Sequence, residues 1–528
     1  MHTMYIHRAE KKSPSGKIYR SVLLQHSYRE EGKTKHKTII NLSKWTEKEI
    51  ESLNLVLKGK RGYEIGDFKT NEGKAIGGLL VFKALAKKAG LLKMLGNSKH
   101  AKLALLLIIA RILTQGSRRS LCEWVKRQEI LGTLGIEGVK TDDLYKTLDW
   151  LAENQDKMEA NLFASRKKKT LSLYLYDVTS SYLEGDKNEL AEWGYNRDGK
   201  KGKKQIVIGL LTDEEGVPVT IEVFKGNTSD TQTVESQVNK CVDRFKIENI
   251  TFVGDRGMVK KPQKELLKSK SYNFISAITR AQIQKLIKEG TFQLGLFENE
   301  LVDIEEGEDR YILRRNPIRK KEIQDNREDK LKAAIKYKEK LNLYLNAHPK
   351  ACLNVALEKL GTYLKKLSIQ AWCEGVTSSG RVLKIQIDEE KKKVLSDLDG
   401  CYAIHTDIKK SQVSKENIHA RYKDLSFVET AFRTLKTGCL EIRPLFVRKD
   451  SRTRGHVFVS MLSYILVQSF WRSVKHLGHS LEYSIDLIQS IQTINVQLGE
   501  KSVTRIPSLL PEKKALLEAL AVKLPETI

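Results

Sequence analysis

Cysteine is scarce: six residues in 528, none forming a C-x-x-C pair. A cysteine zinc module therefore has no support. The scatter of Cys122, Cys241, Cys352, Cys373, Cys401 and Cys439 fits a reducing cytoplasm. Long apolar runs are missing as well. The longest, Leu103 to Ala110, is flanked by Lys102 and Arg111 and is too short to span a bilayer, so no membrane partner is expected. Basic and polar residues begin at His7-Arg8 with no apolar stretch behind them, so no secretory leader is expected. Tryptophan is rare, at six residues, which makes a paired-carboxylate glycosidase with aromatic sugar platforms a remote reading. There is no internal repeat and no long low-complexity linker. Acid is in deficit, with 66 Asp and Glu against 93 Lys and Arg, for a net charge of +27.

Such an excess attracts polyanions over long range, and a phosphate backbone yields affinity from charge alone. Double-stranded DNA is the expected partner. The length allows two or three domains. Residues 1–70 read as a small basic β-rich module, with strand-like stretches Ile18–Leu24 and Lys37–Leu42 on either side of a turn at Glu30–Lys33. It is either a DNA-facing sheet or a solvated hairpin. Residues 71–165 read as helices that bind DNA, with apolar spacing over Leu79–Leu95, an almost wholly apolar stretch Ala101–Leu113, and a helix start at Thr141-Asp142-Asp143. The basic run Arg166–Lys169 marks a boundary. Residues 166–280 then alternate as an α/β domain with a mixed sheet: Leu171–Asp177, a hairpin around Asp213–Gly216, a helix over Thr231–Arg244, Ile250–Val253, and Tyr272–Ile278. Residues 281–410 read as an insertion, 411–475 as the return to the core, and 476–528 as a C-terminal helical region.

The chemistry concentrates in acids. Asp177 and Asp255 are read as residues at strand ends, held rigidly at a sheet edge. Tyr422, Glu429 and Lys436 are spaced seven apart, which on one α-helix shares a face with about 10.5 Å between levels. Three carboxylates at one point repel unless cations neutralise them. Oxygen ligands of this kind favour Mg²⁺ or Mn²⁺, and two such ions can activate an attacking hydroxyl and stabilise the leaving oxygen of a phosphodiester. The cation can hold a phosphate oxygen and the ring can pack on a base or sugar. Each residue also has a bland reading. Ser426-x-x-Glu429 is a capping box pattern, Asp177 can be a strand-end cap, Gly254-Asp255-Arg256-Gly257 is a turn sequence, and Asp186, Asp198, Asp213 and Asp230 compete as loop acids.

Read together, Tyr176–Tyr182, Gly194–Asp198, Gly226–Asp230, Gly254–Gly257, Asp399–Tyr402, Tyr422–Lys436, Arg443-Pro444-Leu445 and His456-Val457-Phe458 resemble the DDE transposases of bacterial insertion sequences, in the branch with a tyrosine, arginine, glutamate and lysine signature. The match runs over most of the chain. The resemblance implies a ribonuclease-H-like core with an insertion domain. It implies Asp177, Asp255 and Glu429 as catalytic ligands of two Mg²⁺ (or Mn²⁺) ions, and Tyr422 and Lys436 as contacts to the DNA end. The family's arginine position is Leu425 here. Arg433, one turn past Glu429, either supplies that charge or pairs i to i+4 with Glu429. The implied activity is cut-and-paste transposition in the cytoplasm, on the nucleoid: a homodimer on DNA cleaves at terminal inverted repeats and transfers the 3′ ends to target DNA. The branch signature also suggests a DNA hairpin intermediate. The rivals are a non-catalytic DNA-binding protein derived from a transposase and a metal-dependent nuclease without end pairing.

Overall fold

The computed structural model describes every residue except 1–2, 15, 17, 60–67, 167–172, 246, 248–249, 439, 499–500 and 526–528. The basic run Lys167–Lys169, the first residues of an expected strand (Leu171, Ser172) and Cys439 lie outside the described residues. The chain divides into two compact units. The first comprises 1–76, 490–510 and 523–528; the second comprises 77–489 and 511–522.

The first unit begins with an antiparallel sheet in the order β1 (Thr3–Lys12), β2 (Ile18–Glu30), β3 (Lys33–Asn41). The turn between β2 and β3 puts Glu31 and Gly32 at positive φ, a two-residue connection whose geometry suits paired strands. Every described residue of β3 is exposed, Lys33, Lys35 and Lys37 among them. Helix Glu47–Leu57 starts at a capping box, Thr46 with Glu49, which satisfies two backbone donors reciprocally. β4 (Phe68–Ala75) pairs antiparallel with Gln492–Leu498, which pairs in turn with Lys501–Arg505. This corrects the helical reading of 476–528. Ile494, Val496 and Leu498 repeat every two residues, the period of a strand. Among the described residues of that stretch the α-helices are Leu481–Gln489 and Pro511–Leu520.

In the second unit, helices Lys99–Leu113, Thr141–Ala164 and Asp450–Val474 pack against one another. Lys99–Leu113 is buried nearly all round, as its continuous apolar sequence demands. The stretch Asp450–Leu477 is long and apolar enough to cross a bilayer, yet 72% of its most apolar window is buried inside the fold, so it serves as a core helix. The sheet has eight strands: β5 (Leu173–Tyr182), β6 (Gln205–Asp213), β7 (Pro218–Lys225), β8 (Thr251–Gly254), β9 (Asn273–Ala277), β10 (Val302–Glu306), β11 (Asp309–Arg315) and β14 (Cys401–Thr406). Their order is β10-β11-β14-β9-β8-β5-β6-β7. The β5–β8 and β8–β9 pairs are parallel and the others antiparallel. This mixed sheet, with its antiparallel hairpin beside central parallel strands, is the ribonuclease-H-like core. Every residue of β6 is buried because both sheet faces are covered, and continuous apolar runs mark such strands.

The segment 281–410 is less separate than a simple insertion. β10, β11 and β14 extend the core sheet. The part that stands off comprises helices Pro317–Ala347, Leu353–Lys366 and Glu389–Asp397 and the hairpin β12 (Cys373–Ser378) with β13 (Val382–Ile387). It has its own core around Leu345, Leu360, Leu364 and Trp372. Glycine explains two of the sequence motifs. A Cβ on Gly194 would lie 2.1 Å from the Gly226 carbonyl oxygen, and one on Gly226 would lie 2.0 Å from that of Gln205. Only glycine permits this backbone approach.

Candidate active site

Asp177 does not end its strand. β5 continues to Tyr182 and pairs Asp177 with Leu210 of β6. What ends is the parallel pairing with β8, whose last pair is Tyr176 with Gly254. Asp255 is the next residue after β8. The register therefore brings Asp177 and Asp255 next to each other, each one residue past the last pair of the β5–β8 ladder. The Val178 N–H donates to Asp177 Oδ1 at 2.7 Å. Asp255 is held in its turn by the Arg256 N–H on Oδ1 and by Ser276 Oγ, which donates to its carbonyl at 3.2 Å. Gly257 at φ 83° lets the chain turn back.

The Tyr422–Lys436 run is not one helix. Lys415–Lys423 and Leu425–Lys436 abut at Asp424, so Tyr422 belongs to the first helix and Glu429 and Lys436 to the second. Ser426 lies within the first turn and Asp424 is the N-cap, so the S-x-x-E pattern is not a capping box. Leu425, Val428, Ala431, Phe432 and Leu435 are buried on a face that packs on β5. Glu429 is thereby turned outward and is exposed. Asp255, Tyr422 and Glu429 line one cavity of about 480 Å³. Leu425 forms part of its wall, with Arg256, Arg280 and Arg319 around it. Arg319 comes from the segment read as an insertion and Arg280 from the residue just before it, and no sequence spacing marks either as a neighbour of Glu429.

Burial, then the negative charges of Asp255 and Glu429, push Asp177 up to about 7, with Arg197 opposing. Asp177 thus feels both other acids. Among the described residues, however, no group of three His, Cys, Asp or Glu side chains stands close enough to hold a metal ion. Burial and then Asp255 push the Tyr422 hydroxyl up, so it stays a neutral phenol. Lys436 does not line the cavity. Its Nζ donates to Asp198 Oδ1 at 2.8 Å, its side chain is 11% exposed against 1% for Asp198, and Arg443 donates to the same oxygen. The Tyr182 N–H donates to Asp198 Oδ2 at 3.2 Å. Sequence reasoning left Asp198 among the competing loop acids. Its partners lie 238 and 245 residues away, and only the fold reveals them. Arg433 is exposed and, among the described residues, makes no ion pair with Glu429. In the Asp399–Tyr402 motif, both Asp399 oxygens accept from Arg327 at 2.7 and 2.8 Å, while Gly400, Cys401 and Tyr402 line the cavity.

The raised Asp177 pKa fixes a pH dependence in metal-free protein. A carboxyl whose folded pKa lies above its unfolded 3.8 binds more protons when folded, so its stabilising contribution is lost as pH rises from about 4 through about 7. Asp177→Asn is expected to match wild type near pH 4 and exceed it at pH 8 by at most about 4 kcal/mol, since each pKa unit is worth about 1.4 kcal/mol. Thermal unfolding in chelator at the two pH values measures this. Equal midpoints at pH 8 would contradict it.

A family model described as "Transposase DDE domain" matches residues 168–466. A second, "IS1634 family transposase, N-terminal domain", matches residues 6–67. No curated protein matches the chain in sequence. Among solved structures, the cryo-EM structure of a piggyBac transposase synaptic complex with hairpin DNA is similar at 9% identity over 78% of each chain, with a TM-score of 0.36.

Proposed function

Because the chain belongs to the DDE transposases of insertion sequences, as the domain match over residues 168–466 shows, we propose that Asp177, Asp255 and Glu429 are its catalytic acids. The observation that carries this reading is the register that sets Asp177 beside Asp255, with Glu429 close enough to raise the Asp177 pKa. An all-oxygen donor set with surplus negative charge fits two Mg²⁺ or Mn²⁺ ions. Such cations, when bound, supply the charge that activates water and stabilises the leaving oxygen of a phosphodiester. The chain's own residues do the rest. β5 and the turn after β8 fix the two aspartates, and the helix packed on β5 presents Glu429. Tyr422, neutral and at the cavity wall, packs against a sugar or base. Lys436 spends one of its three donors on Asp198 and keeps two for a phosphate oxygen.

In this reading a homodimer on the nucleoid pairs two transposon ends, cuts them free and joins the 3′ ends to target DNA. The exposed basic β3 face contributes to end binding. Leu425 in the cavity wall brings no charge, so Arg433 is assigned the phosphate contact. Arg433→Ala is expected to weaken end binding about tenfold, the cost of losing one charge-assisted hydrogen bond. Unchanged affinity and cleavage in a filter-binding and nicking assay would rule the contact out.

The non-catalytic rival draws on the acids standing beyond ligating distance of one another. DNA carrying the sequences that flank the protein's own gene separates the readings. Mg²⁺-dependent nicking followed by strand-transfer products is expected. Binding without nicking would favour the non-catalytic protein, and nicking without transfer the simple nuclease.

A further inference from the structure

Away from the acids, a second cavity of about 190 Å³ is lined by Arg111, Arg118, Tyr145, Arg443, Phe446 and His456, among others. Two guanidinium groups meet there on one neutral acceptor. Arg111 Nη2 lies 3.2 Å from His456 Nδ1 and Arg118 Nη2 lies 2.9 Å from the same atom. Arg111 is 8% exposed and His456 5%. Arg111 Nη2 also lies 3.4 Å from His456 Nε2, and the Ile442 backbone is a further hydrogen-bond partner of the ring. Burial and then the two arginines hold the imidazole well below its ordinary pKa, so it remains an uncharged acceptor with one lone pair for two cations. Arg118 Nε is buried without a partner. Among the described residues neither arginine forms an ion pair with a carboxylate. Glu441 lines the same cavity, but its side chain is exposed and it acts on Arg111 only electrostatically.

Burying charge without a counter-ion is costly. Burial, and for Arg111 the neighbouring Arg118, lowers both arginines, but a guanidinium keeps its proton in proteins, so both groups stay cationic at neutral pH. Two guanidinium forks around a polar cavity match the oxygens of a phosphate. Arg443 and Phe446 belong to the loop that follows the Glu429 helix, and Phe446 is 71% exposed. We propose that this cavity holds one phosphate of the bound DNA backbone, a contact additional to the cutting site. The proposal rests on the chain acting on DNA as a transposase.

The test uses Arg118→Gln, with Phe446→Asp as a second variant at an exposed position that leaves the core untouched. Two readings are taken on full-length protein in chelator. One is the rise in unfolding temperature with inorganic phosphate over chloride at matched ionic strength. The other is the slope of log affinity against log salt for a short DNA duplex. Wild type is expected to show a phosphate-specific rise that Arg118→Gln lacks, and the variant's DNA slope is expected to be shallower by about 0.9, one phosphate contact. Phe446→Asp is expected to weaken both readings by placing a negative charge near the cavity. Unchanged slopes in both variants overturn the proposal. Loss of the phosphate response alone also overturns it, by showing a site for free phosphate only. Nicking by wild type is scored separately. Protein that shows the slope change but never nicks contradicts the catalytic reading and leaves the phosphate contact standing.

Discussion

Asp177→Ala, Asp255→Ala and Glu429→Ala, each made singly, are expected to abolish Mg²⁺-dependent nicking while leaving DNA binding intact or tighter. The expected loss is about 10³-fold or more, the scale on which removing one element of transition-state charge stabilisation acts. The acids fail separately because each occupies a different support: mid-β5, the turn after β8, and the exposed face of a helix packed on β5. None can substitute for another. Binding survives because each substitution removes a negative charge from a surface that meets phosphates. Asp177→Ala is the sharpest case, since it also removes the carboxyl that burial and two neighbours hold up to about 7. Nicking and mobility-shift assays on the same DNA give the answer. Activity retained by any one of the three would remove that residue from the site.

Asp198→Ala is expected to be the most destabilising single change near the site. Its carboxylate is almost fully buried and serves Lys436, Arg443 and the Tyr182 N–H together. Removing one partner of such a cluster leaves charge buried and uncompensated, which costs about 3–5 kcal/mol. Burial already lowers the Lys436 pKa, and Asp198 is what raises it back. Without Asp198, Lys436 and Arg443 lose their anchor, so nicking falls along with stability. Denaturant unfolding measures the first effect. A loss below about 1 kcal/mol, the range of an exposed pair, would show that the cluster is solvated and not a structural centre.

The sequence carried the family well, and the surroundings of the proposed acids less well. Asp177 and Asp255 were legible because each follows an apolar run. That Asp177 lies mid-strand was not, because it depends on where β8 stops pairing, a property of two strands together. Helical spacing placed Tyr422 and Glu429 on one wall even though Asp424 divides the helix, since that residue keeps near-helical angles, φ −61° and ψ −15°. The same spacing did not show that Lys436 lies outside the cavity, bonded to Asp198, 238 residues away. The β10 and β11 strands were hidden inside a charged, helix-rich segment, whereas Cys401–His405 read as a strand and lies in β14. The strand Gln492–Leu498, by contrast, had a readable alternation of period two and was lost to its helical neighbours.

The most direct test of the account is a Mn²⁺ soak of crystals of the DNA-bound protein, with anomalous diffraction recorded at the manganese edge. The account predicts peaks within metal–oxygen bonding distance of the carboxylates of Asp177, Asp255 and Glu429. Manganese bound elsewhere, with those three side chains left uncoordinated, would contradict it.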